Sequence, residues 1–232
     1  MSIFQAIIIA IIEGITEFLP VSSTGHMILV DEFLQLNVSD AFMEMFLVVI
    51  QLGAIMAVVV LYWHRLFPFK FKERFEVDMG IMTIWFKIIL ATLPAAVIGI
   101  LFDDFIQDKF FNPWVVAAML ILYGIFFILI EKRNKHMQPT TTLLSELTYK
   151  TAFIIGLFQV LAMIPGTSRS GATIIGAMLI GTSRTVAAEF TFFLAIPVMF
   201  GASAIKLLGF GFIFSGLELA ILIIGMLVAF IT

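Results

Sequence analysis

Long runs of apolar residues constrain the fold of this chain more than any other feature of its sequence. A transmembrane helix needs ~20 apolar residues, and five runs are about that long: residues 42–63, 84–102, 114–130, 187–208 and 217–231. Only 12% of the 232 residues are charged, against ~25% in an ordinary soluble domain. Because so few polar groups cannot cover a surface in water, we predict an all-α, polytopic membrane helix bundle.

Two further apolar segments are each interrupted by a proline, Pro20 in the first and Pro165 in the second. Each proline separates two short segments, and the pairs are residues 3–19 with 21–36 and residues 151–164 with 167–180. Irregular backbone at membrane depth is tolerated where protein or water satisfies the freed polar groups. The pattern therefore predicts two re-entrant helical hairpins.

The charges of the connecting segments predict the orientation of the chain. Two loops are basic and contain Arg65, Lys70, Lys72, Arg74, Lys132, Arg133, Lys135 and Lys150. An acidic loop at residues 103–109 lies between them. The positive-inside rule places the basic loops in the cytoplasm and the acidic loop outside. On this reading the first hairpin enters from the outer face and the second from the inner face.

The two hairpins also resemble each other in sequence. Residues 17–26 are similar to residues 162–171, and an apolar helix led by a glutamate follows each hairpin. Two similar halves that enter from opposite faces make an inverted-topology repeat, which places binding sites near the midplane between the broken helices. We predict a single membrane domain, residues 1–232, with repeat halves of roughly 1–135 and 140–232.

Two glutamates in the first hairpin are candidates for metal binding. Glu13 and Glu17 are four residues apart, so they share one face of a helix. Carboxylates are costly inside a membrane and are expected to face a cavity or the bundle interior. They would bind a divalent cation or handle protons, and oxygen ligands favour Mg²⁺ or Ca²⁺ over zinc. The alternative is an interfacial helix end with solvated acids.

The segment PGTSRSGAT at residues 165–173 predicts a phosphate-binding site. The planar guanidinium of Arg169 suits bidentate phosphate binding. The helix that begins here directs free N–H groups at an anion, and the hydroxyls of Thr167, Ser168 and Ser170 are additional donors. The alternative is a turn outside the membrane with a solvated arginine.

Hydroxyls and an imidazole follow the first proline, from Ser22, Ser23, Thr24 and His26. Serine and histidine are both nucleophiles on phosphorus, and histidine also serves as a general acid or base. Ser23 and His26 are therefore alternative nucleophiles, although a lone histidine is more often a packed or capping residue. Together with the carboxylates and the arginine, these groups suit a phosphate ester or anhydride, and in the membrane plane a lipid phosphate.

With these residues in view, the chain resembles the bacterial undecaprenyl-diphosphate phosphatase family, also called bacitracin-resistance proteins, over essentially its whole length. The specific parts are EGITEFLPVSSTGH at residues 13–26 and PGTSRSGAT at residues 165–173. The resemblance implies a phosphoric anhydride hydrolase that converts undecaprenyl diphosphate to undecaprenyl phosphate and inorganic phosphate. That reaction would recycle the carrier lipid for peptidoglycan synthesis and confer bacitracin resistance.

The resemblance also implies a divalent-cation-dependent active site on the outer side of a bacterial plasma membrane. The roles expected from the motifs are metal binding or proton handling for Glu13 and Glu17, nucleophile or acid/base partner for Ser23 and His26, and diphosphate binding for Arg169, Ser168, Thr167, Ser170, Thr24 and Ser22. Family members usually continue with basic residues and a final apolar helix. The second repeat half, which stops at Thr232, is therefore expected to lack its last helix.

The alternative function is a transporter or flippase for the lipid phosphate, because broken helices in an inverted repeat are also a transporter architecture. A non-catalytic scaffold would leave the costly buried charges unexplained. The net charge of -3 does not indicate a nucleic-acid partner. The expected partners are a polyprenyl diphosphate lipid and the membrane, with a homodimer as a further expectation. The first residues lack a basic region and a cleavage site, so we expect them to form the first helix and not a signal peptide.

Overall fold

The computed structural model describes residues 2–34, 36–71, 75–110, 112–135 and 137–232. Within these residues the chain forms α1 (Ser2–Thr16), α2 (Ser23–Leu34), α3 (Asp40–Leu61), α4 (Trp63–Leu66), α5 (Met79–Phe110), α6 (Pro113–Asn134), α7 (Tyr149–Val160), α8 (Arg169–Leu179), α9 (Arg184–Phe210) and α10 (Gly216–Ile231). Two 3₁₀ turns lie at Leu144–Glu146 and Leu161–Met163, and two short strands, β1 and β2, lie at Phe69–Phe71 and Phe75–Val77.

Four helices among the described residues are long and apolar enough to cross a membrane, by length and composition. They are α3, the part Met79–Phe102 of α5, the part Trp114–Asn134 of α6, and α9. The fifth predicted run forms α10, which with 16 residues is a shorter apolar helix. The prediction of an all-α, polytopic membrane bundle is confirmed. The re-entry of the two hairpins and the division into repeat halves stay predictions.

Polar caps set the starts of the long helices. Ser39, Asn112 and Ser183 each accept a hydrogen bond from a backbone N–H of the first turn of α3, α6 and α9. These side chains satisfy N–H groups that have no partner within the helix. At α10 the Ser215 hydroxyl and the Glu218 carboxylate form a reciprocal capping box, which fixes the entry of the last helix.

The core lies along α3 and α9, with α10 against α1 and α3, and α5 against α7. Small residues let these helices approach closely, as in other membrane bundles. A Cβ added at Gly156 of α7 would lie 2.2 Å from the Ala91 carbonyl oxygen of α5. A Cβ at Gly53 of α3 would lie 2.4 Å from the Met226 carbonyl oxygen of α10. Backbone therefore packs directly on backbone at both contacts.

Helices α3 and α9 run antiparallel, and an ion pair joins them at each end. Glu44, near the start of α3, accepts from Lys206, near the end of α9, at 2.6 Å. Glu189, near the start of α9, lies 2.6 Å from the guanidinium of Arg65, which follows α3. The two helices that follow the two hairpins are thus paired head to tail through reciprocal charges.

Two predicted loops differ from the structure. The first basic loop contains the antiparallel pair β1–β2, in which Phe69 faces Val77 and Lys70 faces Glu76; Lys72 and Arg74 lie outside the described residues. The acidic segment at residues 103–109 lies in the last two turns of α5 and not in a loop. The prediction was wrong there because α5 continues for 32 residues, past the point where its apolar run ends.

Candidate active site

The breaks of the two hairpins meet in the structure. The Ser170 hydroxyl, at the start of α8, donates to the Leu19 carbonyl oxygen at 3.0 Å, and these residues are 151 positions apart in the chain. A Cβ added at Gly171 would lie 3.4 Å from the Pro20 carbonyl oxygen. The first turn of α8 therefore lies against residues 17–20, and this contact brings the two predicted motifs into one site.

Glu17 lies at the centre of the site. Its Oε1 accepts from the Arg169 guanidinium at 2.6 Å, and its Oε2 accepts from the Ser23 hydroxyl at 2.6 Å. Glu17 is 6% exposed, so water does little to screen these bonds, and charge-assisted hydrogen bonds of this length are strong. The Ser23–Glu17 distance is also in the range of a nucleophile and its general base.

Arg169 has donors that the protein does not use. Its Nη2 bonds Glu17, whereas Nε and Nη1 are buried and have no hydrogen-bond partner among the described residues. A guanidinium has five N–H donors in a planar fork, and buried donors without a partner are costly. An anion with several oxygens would satisfy them without breaking the bond to Glu17.

Glu13 is fully buried beside Glu17 and Ser23. Within the described residues neither of its carboxylate oxygens has a hydrogen-bond partner. A buried carboxylate in this state needs a proton or a cation, and oxygen-only ligands suit Mg²⁺ or Ca²⁺. No cluster of three or more histidine, cysteine, aspartate or glutamate side chains occurs in the part that the structure describes. The donor set fits a Mg²⁺ held by one or two carboxylates together with substrate oxygens and water.

The second break is shaped by Gly166 and by a serine cap. Gly166 has φ +87° and approaches α6 so closely that a Cβ would lie 2.5 Å from the Val116 carbonyl oxygen. Ser168 caps α8 by accepting from the Gly171 N–H at 3.0 Å, and its hydroxyl lies 3.1 Å from that of Ser170. These two predicted substrate-binding serines thus hold the loop together. The Thr167 hydroxyl is buried and has no partner among the described residues.

The first break contains a residue in the left-handed region, Ser22, with φ +56°. Such a conformation is strained for a residue other than glycine, and strain of this kind is found at functional sites. The Ser22 hydroxyl accepts from the Gly25 N–H at 3.2 Å, and its carbonyl oxygen lies 2.8 Å from His26 Nδ1. Donation from Nδ1 leaves His26 Nε2 as an acceptor. No hydrogen bond joins His26 to Ser23 among the residues described.

Two residues support the site from neighbouring helices: Thr191, which the sequence did not single out, and Gln51, whose place inside an apolar run predicts an inter-helix hydrogen bond. The Thr191 hydroxyl of α9, 1% exposed, donates to the Thr173 hydroxyl at 2.9 Å, which donates to the Arg169 carbonyl oxygen at 2.9 Å. Gln51 of α3 donates to the Thr24 hydroxyl at 3.4 Å. The prediction for Gln51 is confirmed, Thr191 offered the same signal of a polar residue inside an apolar run, and only packing shows which motif each one supports.

Comparison with known proteins agrees with the motifs. Residues 6–232 match the family described as "Bacitracin resistance protein BacA". The undecaprenyl-diphosphatase of Desulfitobacterium hafniense is 64% identical over 232 residues, covering 100% of this chain and 84% of that protein. The proteins of the same name from Acetivibrio thermocellus and Enterococcus faecalis are each 60% identical, covering 99% of this chain and 85% and 84% of their own lengths.

Proposed function

Because this chain belongs to the BacA bacitracin resistance protein family, we propose that it is a membrane enzyme that hydrolyses undecaprenyl diphosphate. The products are undecaprenyl phosphate and inorganic phosphate, and the reaction recycles the carrier lipid for peptidoglycan synthesis. One observation supports this activity above the others. A buried Glu17 bonds both Ser23 and Arg169, and two further buried nitrogens of Arg169 have no hydrogen-bond partner in the part of the chain that the structure describes.

Arg169 and Thr167 are proposed to bind the diphosphate. The free Nε and Nη1 of Arg169 would donate to phosphate oxygens while Nη2 stays on Glu17. The Thr167 hydroxyl adds a donor, and the N-terminal end of α8 favours negative charge. In phosphoryl transfer, positioning and charge stabilisation supply most of the catalysis, so these groups would have large effects on the rate.

Glu13 and Glu17 would hold a Mg²⁺ or Ca²⁺ ion, which when bound neutralises charge on the phosphate oxygens. Glu13 is suited to this role because it is fully buried and neither oxygen has a hydrogen-bond partner among the described residues. Glu17 is also needed by Ser23 and Arg169. Glu13 is therefore the main cation ligand in this proposal, and Glu17 is shared.

Ser23 is the proposed nucleophile. Its Oγ would attack the terminal phosphorus while its proton passes to Glu17 Oε2, which already accepts from it at 2.6 Å. The bond from that phosphorus to the bridging oxygen breaks, undecaprenyl phosphate leaves, and water then hydrolyses the phosphoserine to release inorganic phosphate. His26 is the alternative nucleophile, and in the Ser23 scheme its Nε2 would exchange protons with the leaving group or the water.

The test is phosphate release from the purified protein with a C55 diphosphate, with and without a chelator. We expect release by the wild type, loss of release with chelator, and a much larger loss for Ser23→Ala than for His26→Ala. An active Ser23→Ala variant together with an inactive His26→Ala variant would reverse the assignment of nucleophile. Phosphate release by none of the proteins, in the presence of the cation, would contradict the enzymatic function.

A lipid-phosphate flippase is the second candidate, and the head-to-tail pairing of α3 and α9 favours it. Reciprocal ion pairs at both ends, Glu44–Lys206 and Arg65–Glu189, are compatible with an inverted repeat, which is typical of transporters. A pure flippase would release no phosphate in detergent.

The site is proposed to open on the outer face of a bacterial plasma membrane. This orientation places β1–β2 in the cytoplasm, which labelling of cysteines introduced into these strands in intact cells would check. The homodimer stays a prediction, which the molar mass of the protein in detergent, measured by light scattering, would test.

A further inference from the structure

Helix α6 lies against both broken hairpins along one narrow face. A Cβ added at Gly166 would lie 2.5 Å from the Val116 carbonyl oxygen, and one added at Gly25 would lie 3.3 Å from the Leu120 side chain. Val116 and Leu120 are four residues apart, on the same face of α6. One contact is with the second hairpin and the other with the first, so α6 forms a third wall of the site.

Tyr123 continues this face, three residues after Leu120. Side chains on a helix lean toward its N-terminus, which directs the Tyr123 ring back toward the level of the two breaks. Its hydroxyl lies near the side chain of Thr167, and its ring lies edge-on to Phe126 with the centroids 6.4 Å apart. The phenol is thus a polar group that α6 brings to the phosphate-binding loop.

The Tyr123 hydroxyl lies at an unusual depth for a tyrosine in a membrane helix. Tyr123 lies near the middle of α6 (Pro113–Asn134), whereas tyrosines in membrane helices are enriched at the two interfaces. Its neighbours Ile121 and Leu122 are exposed apolar residues, as expected on a lipid-facing helix. A hydroxyl in hydrocarbon costs free energy unless it is hydrogen-bonded, and this cost is avoided where the site supplies a polar partner.

Thr167 alone does not fully satisfy that need. Its Oγ1 lies near Tyr123, but it is buried and forms no hydrogen bond with any of the described residues. Arg169, two residues further on, has two buried nitrogens that also lack a hydrogen-bond partner within the described ranges. The Thr167 hydroxyl and the Arg169 guanidinium have buried donors without a partner among the described residues, and with the nearby Tyr123 phenol they are complementary to an anionic oxygen placed between them.

We propose that Tyr123 is a substrate-binding residue, and that with Thr167 it donates to a phosphate oxygen of the lipid diphosphate. The inference rests on the proposed function, since it names a further ligand for the same substrate. A hydrogen bond made equally in the bound substrate and in the transition state changes KM and leaves kcat nearly unchanged. Tyr123 therefore differs from Ser23 and Arg169, whose removal lowers kcat.

The test is Tyr123→Phe, which removes the hydroxyl and keeps the ring. We expect KM for the C55 diphosphate to rise about 10-fold and kcat to stay within about twofold, as for a lost hydrogen bond to a charged group. Tyr62→Phe is the matched control, because the Tyr62 ring packs on Phe193 of α9 at 5.4 Å. A wild-type KM in Tyr123→Phe, or the same rise in Tyr62→Phe, would overturn the inference.

Two further measurements separate this inference from the proposed function. Binding of inorganic pyrophosphate to the detergent-solubilised chain, followed by thermal shift, needs no turnover, and it should weaken about 10-fold in Tyr123→Phe. Equal affinity in wild type and variant refutes the inference even if no phosphate is released, whereas absence of hydrolysis refutes only the enzymatic function. The effects of Tyr123→Phe and Thr167→Val on this affinity should also combine to less than their product, since both serve one oxygen. If the double variant instead loses affinity by the product of the two single losses, Tyr123 and Thr167 do not bind the same phosphate oxygen.

Discussion

The two hairpins differ in the charge of the groups that they bring to the site and in the burial of their second helices, α2 and α8. In the second hairpin, residues 170–178 of α8 are all buried, and the segment supplies Arg169 and the end of a helix. In the first, only Ser23, Gly25 and Met27 of α2 are buried, while Phe33 is 88% exposed. This hairpin supplies the acids and the candidate nucleophiles. Helix α8, which begins with Arg169, is therefore packed inside the bundle along most of its length, whereas α2, which begins with Ser23, is largely accessible from outside the bundle.

The backbone at the two breaks differs as well. The second hairpin uses a glycine, Gly166, in the left-handed region one residue after its proline, and the first uses Ser22 two residues after its proline. The second break is unstrained but closely packed on α6, whereas the first accepts strain. The two motifs are offset by one residue after the proline, and the position of the left-handed residue, Gly166 or Ser22, shows the same one-residue offset.

The largest expected effect is that of Ser23→Ala in the first hairpin. Loss of the nucleophile should lower kcat by about 10³-fold or more, with little change in fold, because the methyl group fits where the hydroxyl was. Steady-state phosphate release measures it, and Ser39→Ala, a cap of α3 outside the site, is the control. An activity within about 10-fold of the wild type would show that Ser23 is not the nucleophile.

Arg169→Ala in the second hairpin should lower kcat/KM by about 10²-fold, by analogy with preorganised donors. The substitution also leaves the buried Glu17 carboxylate without the guanidinium that pairs with it, which should destabilise the chain by about 3–5 kcal/mol. Activity and thermal unfolding are both measured, with Arg184→Ala as the control because that side chain is 68% exposed in its pair with Glu131. Wild-type kcat and KM in Arg169→Ala would show that the second hairpin is not the phosphate platform.

Glu13→Gln tests whether the first hairpin binds the cation. Replacing one of two carboxylate ligands should raise the Mg²⁺ or Ca²⁺ concentration for half-maximal activity by about 10-fold or more, because ligand charge sets the affinity of such sites. A metal titration of phosphate release measures it. Glu218→Gln, in the capping box of α10, should leave the titration unchanged. If chelation does not affect the wild type, Glu13 has another role.

Substitutions at the two breaks should show the smallest effects on stability, and the effect should be larger at the second break than at the first. Gly166→Ala should destabilise by about 2 kcal/mol, because its Cβ would clash with α6 and its φ is left-handed. Ser22→Gly relieves strain but loses the cap on Gly25, so we expect a change within about 0.5 kcal/mol. Thermal unfolding in detergent compares the two. An equally large loss for Ser22→Gly would mean that the two breaks are not different in kind.

Much of the site was predictable because the cost of charge in a membrane is visible in the sequence. Glu13, Glu17 and Arg169 interrupt or flank apolar runs, so their place in the interior follows from residue type and position alone. The helix starts and the two proline breaks are equally local, since caps and prolines act within one turn. The spans α3, α5, α6 and α9 were therefore predicted within a few residues, apart from the extended end of α5.

Contacts between distant segments were decided only by tertiary structure. Nothing in the sequence indicated that Ser23 would form its hydrogen bond with Glu17 and not with His26. Nor did it indicate that Ser170 would bond the backbone of the first hairpin. Nor did it indicate that α6 would place Tyr123 beside Thr167. Each of these contacts depends on how helices pack, and sequence periodicity specifies which face of a helix is apolar but not which neighbour that face meets. The sequence determined which groups are costly to bury, and the packing determined which partners offset that cost.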